Sequence, residues 1–254
     1  MNKTVRLLAC SLVTLLVAGL MPGAMAAADG EYGDYHGPDV QVVNRIITEN
    51  NFGFEGSTTY PLWEVWQEGD TEPPSSWGNR VWWDEDAIPK RVVYIELWAE
   101  DTYGSGLVDL RGLDFLQAFV LGYSGITGVN ANGLSRLERF GFHANPEMIW
   151  LGSEGLSALK RFLCSDCVKL AGIDLADSPD LFELQCLNGQ SLASLNLGNL
   201  QKVKSIALSN TRLSSLDVSR ITDLEELYCW SGILSSLTLG TLPNLIDLDC
   251  TDKV

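Results

Sequence analysis

Between residues 116 and 250 the apolar positions return in one repeated phrase. It reads Leu116-Gln-Ala-Phe119-Val-Leu121, Leu137-Glu-Arg-Phe140-Gly-Phe142, Leu159-Lys-Arg-Phe162-Leu-Cys164 and Leu181-Phe-Glu-Leu184-Gln-Cys186. It continues as Val203-Lys-Ser-Ile206-Ala-Leu208, Leu224-Glu-Glu-Leu227-Tyr-Cys229 and Leu245-Ile-Asp-Leu248-Asp-Cys250, the first residues lying 21, 22, 22, 22, 21 and 21 apart. The last two apolar residues of each phrase are two apart, so they share one face of a strand while the residues between them point the other way. A second phrase follows three of the openings: Leu192-Ala-Ser-Leu195-Asn-Leu197, Leu213-Ser-Ser-Leu216-Asp-Val218 and Leu234-Ser-Ser-Leu237-Thr-Leu239. A looser unit, Val92-Val-Tyr-Ile95-Glu-Leu97, starts the series 24 residues before Leu116.

One such coil cannot bury its own apolar face. Stacked coils can, each adding a rung to a parallel β-sheet at a spacing of about 4.8 Å, so that like side chains form continuous columns. A period near 21 with Leu-x-x-Leu-x-Leu at fixed phase predicts a leucine-rich repeat solenoid over residues 92–254, of about eight coils. Short extended or 3-10 segments are expected on the side opposite the sheet. The series stops in mid coil after Cys250, with no C-terminal cap in view. The expectation is a chain that continues, or an edge that associates with another copy.

Residues 39–91 break the pattern and predict an N-terminal cap. Asp39 is placed to cap a helix whose apolar stripe is Val40, Val43, Ile46 and Ile47. Trp63, Trp66, Trp77, Trp82 and Trp83 follow in a Gly- and Pro-rich stretch. Rings of that size suit the core of a small irregular cap, and a sugar platform is the other reading. Residues 27–38 are small, polar and acidic, and predict a disordered linker. Before them come Lys3 and Arg6, an apolar run over residues 7–20, and Ala24-Met-Ala26, the plan of a signal peptide ending at residue 26. The apolar run lies mostly after Cys10, so plain export is expected over lipidation there. No transmembrane segment is expected in the mature chain.

Removing residues 1–26 leaves 15 basic groups against 33 acidic ones, a net charge of −18. That sign repels phosphate backbones and anionic lipid heads, so no nucleic-acid partner is expected and a membrane surface is a poor one. Of the remaining cysteines, Cys164, Cys186, Cys229 and Cys250 fall in the same inward slot, where a thiol acts as a small hydrophobe. Adjacent rungs bring Cys164 near Cys186 and Cys229 near Cys250. Side chains that point the same way make poor disulfide dihedrals, so reduced thiols are expected. Cys167 sits at the ninth position of its coil, as Asn145 does one coil earlier, where the chain turns out of the strand. The Cys164-Ser-Asp-Cys167 spacing lacks the further ligands of a zinc site, and no metal or other cofactor is expected.

The pattern Leu-x-x-Leu-x-Cys-x-x-x-x-Leu-x-Ser-Leu-Asp-Val-Ser resembles the cysteine-containing bacterial leucine-rich repeats, of the internalin J type and of surface proteins from gut anaerobes. Residues 203–219 and 224–239 follow it, although Leu208 stands in the cysteine place and Gly189, Thr211 and Gly232 replace Asn at the ninth position. The resemblance implies a right-handed, curved solenoid at a cell surface, a cysteine ladder within it, and protein or glycan held on the concave face.

Outward strand positions follow from the phase. The candidate ligand-binding residues are Tyr94, Trp98, Tyr123, Arg139, His143, Arg161, Glu183, Gln185, Glu226, Tyr228 and Trp230. A solvated strand has no need of exposed aromatics, and such rings dominate binding hot spots. Cover by the cap is the alternative for Tyr94 and Trp98. No catalytic residue is assigned: His36 falls in the linker, and His143 has Ser165 and Asp166 only one coil away, where parallel side chains do not converge as a triad must. The acidic pairs Asp84 and Asp86, and Asp174 and Asp177, match no calcium-loop spacing. The expected function is an exported, non-enzymatic module for a protein ligand, with glycan capture or an envelope scaffold as alternatives.

Overall fold

The computed structural model describes residues 32–50, 52, 64–67, 69–78, 80–98, 104–230 and 233–251. Residues 1–26, where a signal peptide is expected, and Trp63 lie outside them. The main sheet has nine strands in the order β1 (Val81–Asp84), β2 (Arg91–Trp98), β4 (Ala118–Gly122), β6 (Arg139–His143), β8 (Arg161–Ser165), β10 (Glu183–Leu187), β12 (Ser205–Ser209), β14 (Glu226–Trp230) and β16 (Asp247–Asp249). Only β1 runs antiparallel; from β2 onward every pair is parallel. Each of these parallel rungs is one phrase of the repeat, so the chain is a leucine-rich repeat solenoid.

The register puts Ile95, Phe119, Phe140, Phe162, Leu184, Ile206, Leu227 and Leu248 in one column. All but Leu248 are buried. Beside them run Leu97, Leu121, Phe142, Cys164, Cys186 and Leu208. The phenyl rings pack edge to face, with centroids 4.7 Å apart for Phe140 and Phe142 and 6.0 Å for Phe140 and Phe162. That geometry sets the positive ring edge against the negative face.

On the return side, 3-10 segments were one expectation, but the described residues form short parallel strands. These are β3 (Ser105–Asp109), β5 (Gly125–Asn130) and β7 (Trp150–Gly152) in one sheet. β9 (Gly172–Asp174) pairs with β11 (Ser194–Asn196), and β13 (Ser215–Asp217) with β15 (Ser236–Thr238). At the ends of several of these strands Asp109, Asn130, Asp174, Asn196 and Asp217 accept the N–H two residues on, an Asx turn that leads the chain back.

Past β4, β6, β8, β10 and β12 the backbone turns through a left-handed residue: Tyr123, Ala144, Asp166, Asn188 and Asn210 have φ between 50° and 57°. At the ninth position the buried Asn145 amide donates to Leu121 O at 2.8 Å and His143 O at 3.2 Å, and accepts from the Ser124 hydroxyl at 2.5 Å. Cys167 does the same work more weakly, its Sγ 3.7 Å from Ser165 O.

The cap closes the N-terminal end. Helix α1 (Gly37–Glu49) buries Val40, Val43, Ile46 and Ile47, the stripe read from the sequence. Its N-cap is His36, however, and Asp39 has a different task. The buried Asp39 carboxylate accepts from Arg91 Nε at 2.9 Å, Arg91 Nη2 at 3.0 Å and Val92 N at 3.0 Å, tying the helix to the start of β2. Asn50 Nδ2 donates to Ser105 O and Leu107 O, and Arg45 Nη2 to Asp109 O, so the cap satisfies carbonyls at the edge of β3. Order also begins earlier than the expected linker boundary at residue 38. Tyr32 and Tyr35 are buried edge-on against Trp66, which packs in turn on Trp77 and Trp83. Three polar neighbours in sequence hide the fact that these two tyrosines have a cap core to enter.

One cysteine expectation is overturned. Cys229 and Cys250 are joined by a disulfide with Cα atoms 4.4 Å apart, while Cys164, Cys167 and Cys186 are free and buried. Register stacking itself sets the separation inside the range a disulfide spans, so the shared direction of the two side chains is no bar.

Phe140→Ala should lower unfolding free energy by about 3–5 kcal/mol in urea titration, because it opens a cavity at the centre of the ring column. Ile246→Ala, at a side chain 80% exposed, should change it by less than about 0.5 kcal/mol. Similar losses at both positions would contradict the column.

Candidate functional site

The outer face of the nine-stranded sheet carries the predicted residues, and the structure divides them into four groups. Tyr94 is not available: it is buried with Trp82 of β1 edge-on to its ring, and its hydroxyl donates to Glu96 Oε2 at 3.1 Å. Burial first, then the Glu96 carboxylate, pushes its phenol well above the ordinary range. The strand β1 that covers it gave no signal in the repeat.

The second group is the aromatic cluster Trp98, Tyr123 and His143. The Trp98 and Tyr123 ring centroids are 5.6 Å apart, and Tyr123 and His143 meet edge to face at 4.9 Å. His143 is held at both nitrogens, Nε2 lying 3.0 Å from the Tyr123 hydroxyl and Nδ1 2.6 Å from Ser165 Oγ. Trp98 Nε1 donates to Glu96 Oε1. Gly122 makes the arrangement fit, since a Cβ there would stand 2.1 Å from the indole ring that lies over it. The second nitrogen of His143 faces a phenol and not a carboxylate, which is not the arrangement of a Ser-His-Asp triad.

Tyr123 is unlike its equivalents. It sits in the left-handed turn slot that Ala144, Asp166, Asn188 and Asn210 fill in later coils, yet it is a large ring and 50% exposed. Left-handed backbone costs a bulky residue on the order of 1–3 kcal/mol. Packing in the core does not account for it.

The third group is polar. Arg139 and Arg161 are register neighbours, Arg161 Nε pairs with Glu183 Oε2 at 3.0 Å, and Gln185 Nε2 donates to Glu183 Oε1 at 3.0 Å. Gln185 is buried, and its amide oxygen has no partner among the described residues. The fourth group is Glu226, Tyr228 and Trp230. Tyr228 donates to Asp247 Oδ2 at 2.7 Å and stacks at a tilt on Trp230 with centroids 5.4 Å apart, while Glu226 accepts from Ser205 at 3.1 Å. Burial and then the bond to Asp247 push the Tyr228 phenol well up. Six rungs separate Trp98 from Trp230, roughly 29 Å along the sheet at the usual strand spacing, so the two aromatic groups are separate contact points.

Several other candidates resolve into structural roles. His36 stands at the N-cap position of α1 without a side-chain cap bond, its Nδ1 lies 2.8 Å from Asp39 Oδ1, and it is not in a linker. Asp84 accepts from Asp86 N within a turn, and Asp177 accepts from Gly155 N across to the preceding coil. The sequence reading passed over a feature of the return side: Leu107, Ile149 and Trp150 are exposed there, with Leu107 and Trp150 on either side of Gly128 as its register partners. Trp150 holds the place in its coil that Ser194 holds in a later one, but Met148-Ile-Trp150-Leu151-Gly-Ser153 lacks the closing Leu that marks the second phrase.

No protein-family model and no curated protein matches the chain. Among solved structures it is similar to the leucine-rich repeat domain of the type III effector XopL, with 19% identity, a TM-score of 0.36, and coverage of 61% of this chain and 75% of that one. A likeness that loose assigns neither ligand nor partner. Among the described residues no helix is long and apolar enough to cross a membrane.

Gly122→Ala should displace the Trp98 indole and dissolve the cluster, at a cost of about 1–3 kcal/mol in stability. Two-dimensional NMR should then show the His143 ring resonances shifted and the cross-peaks from Trp98 to Tyr123 lost. Retention of those cross-peaks would contradict the packing described.

Proposed function

We propose that this is an exported, non-enzymatic binding module that holds a protein partner on the outer face of the nine-stranded sheet, with Tyr123 as the anchor. The observation that carries the reading is the strained, half-exposed Tyr123 ring, braced by Trp98 and His143. Exposed aromatics on a rigid support lose little entropy on binding and dominate interface energy. Strain that packing does not require points to use. The basic, apolar and small-residue succession over residues 1–26 supports export, and a disulfide between coils suits an oxidising compartment. Attachment at a cell surface, as an adhesin, belongs to the same reading.

Glycan capture is the second reading, favoured by one observation: Tyr228 and Trp230 present a tilted ring pair beside the Asp247 and Glu226 carboxylates. Rings for stacking with flanking acceptors are what a sugar requires.

The test sets a glycan array beside capture from host or envelope extract, using wild type, Tyr123→Asn and the double variant Tyr228→Ala, Trp230→Ala. Tyr123→Asn should lose the captured protein at least tenfold while stability stays within about 1 kcal/mol, because Asn tolerates the left-handed turn. Unchanged capture by Tyr123→Asn would sink the first reading. Array signal lost only in the double variant would establish the second.

A further inference from the structure

The free thiols lie together. Cys164 and Cys186 are register partners on the adjacent strands β8 and β10, in the same inward slot that Cys229 and Cys250 occupy farther along. The bonded pair shows that this slot, on neighbouring coils, sets Cα atoms 4.4 Å apart, within the reach of a disulfide. Cys167 follows Cys164 by three residues, beyond the left-handed turn at Asp166, and its Sγ is directed to Ser165 O. We infer that Cys164 and Cys186 form a second disulfide between coils when the chain folds in the presence of a disulfide oxidant, leaving Cys167 as the one free thiol among the described residues. The bond would lie beneath the Arg161 and Glu183 ion pair and one residue from Ser165, the support of His143. It would act as a brace under the outer face.

With oxidised glutathione as oxidant the chemistry balances. The Cys164 sulfur attacks one glutathione sulfur, breaking the glutathione disulfide and releasing one reduced glutathione. The Cys186 sulfur then displaces the second glutathione from Cys164. Two thiols lose two protons and two electrons, and one disulfide of glutathione becomes two thiols. Hydrogen bonds to Cys167 and then Cys186, together with burial, hold the Cys164 thiol well above its ordinary pKa. The folded, reduced protein therefore reacts slowly, and exchange belongs to the folding stage.

The experiment refolds the full chain from urea in glutathione buffers of increasing oxidised fraction, traps thiols with iodoacetamide, and maps peptides without reduction. Trypsin leaves Cys164 and Cys167 on one peptide and Cys186 on the next, so fragment ions must place the link. The expected result is a Cys164 to Cys186 link beside the Cys229 to Cys250 link, with alkylation at Cys167 and at Cys10 of the N-terminal segment and nowhere else. Cys167→Ser should leave the new link in place. Alkylation of both Cys164 and Cys186 at the most oxidising ratio would overturn the inference, as would a Cys164 to Cys167 link or loss of the link in Cys167→Ser.

Discussion

Everything in this molecule depends on parallel strands that stack in register, one coil over the next. The repeat length of 21 or 22 residues brings Phe119 over Phe140 and Phe140 over Phe162. A one-residue slip would turn each of these to the solvent and bring Gly141 or Leu163 inward, so burial enforces the register. The same stacking repeats the left-handed turn after five consecutive main strands, β4 to β12, and the Asx turn after several return strands. It also places thiols of neighbouring coils side by side.

A stack of this kind has two ends, and the N-terminal end shows how an end is closed. Residues of the cap supply what the first coil lacks: β1 pairs with the edge of β2, and Asn50 and Arg45 serve carbonyls of β3. Asp39 carries the junction, its one buried carboxylate meeting Arg91 Nε, Arg91 Nη2, Val92 N and His36 Nδ1. A buried charge so satisfied is costly to disturb, since removing its partners strands it in an apolar setting. At the other end of the described chain, Leu248 continues the core column but is half exposed.

The solenoid was legible because its signal is periodic: each apolar anchor is repeated, and errors at one coil are corrected by the next. The helix stripe of α1 was legible for the same reason at a shorter period. What escaped was particular to single places. Asp39 looks like a cap residue until Arg91 arrives from 52 positions away. Tyr94 has the outward phase of a binding residue, and only the antiparallel pairing of β1 reveals that Trp82 covers it. The disulfide was misjudged from side-chain direction, although the spacing that permits it was present in the phase.

The candidate site was legible as a list and not as an arrangement. Phase alone named Trp98, Tyr123 and His143, but the glycine that admits the indole and the strain at Tyr123 are three-dimensional facts. The sheet beneath them is the common premise of the binding face and of the thiol pairs. NMR distance restraints on isotopically labelled protein test it most directly. Stacking in parallel register predicts short proton contacts from Leu163 to the Gln185 strand position and from Gln185 to that of Ala207. Antiparallel contacts, or a register moved by one residue, would contradict it.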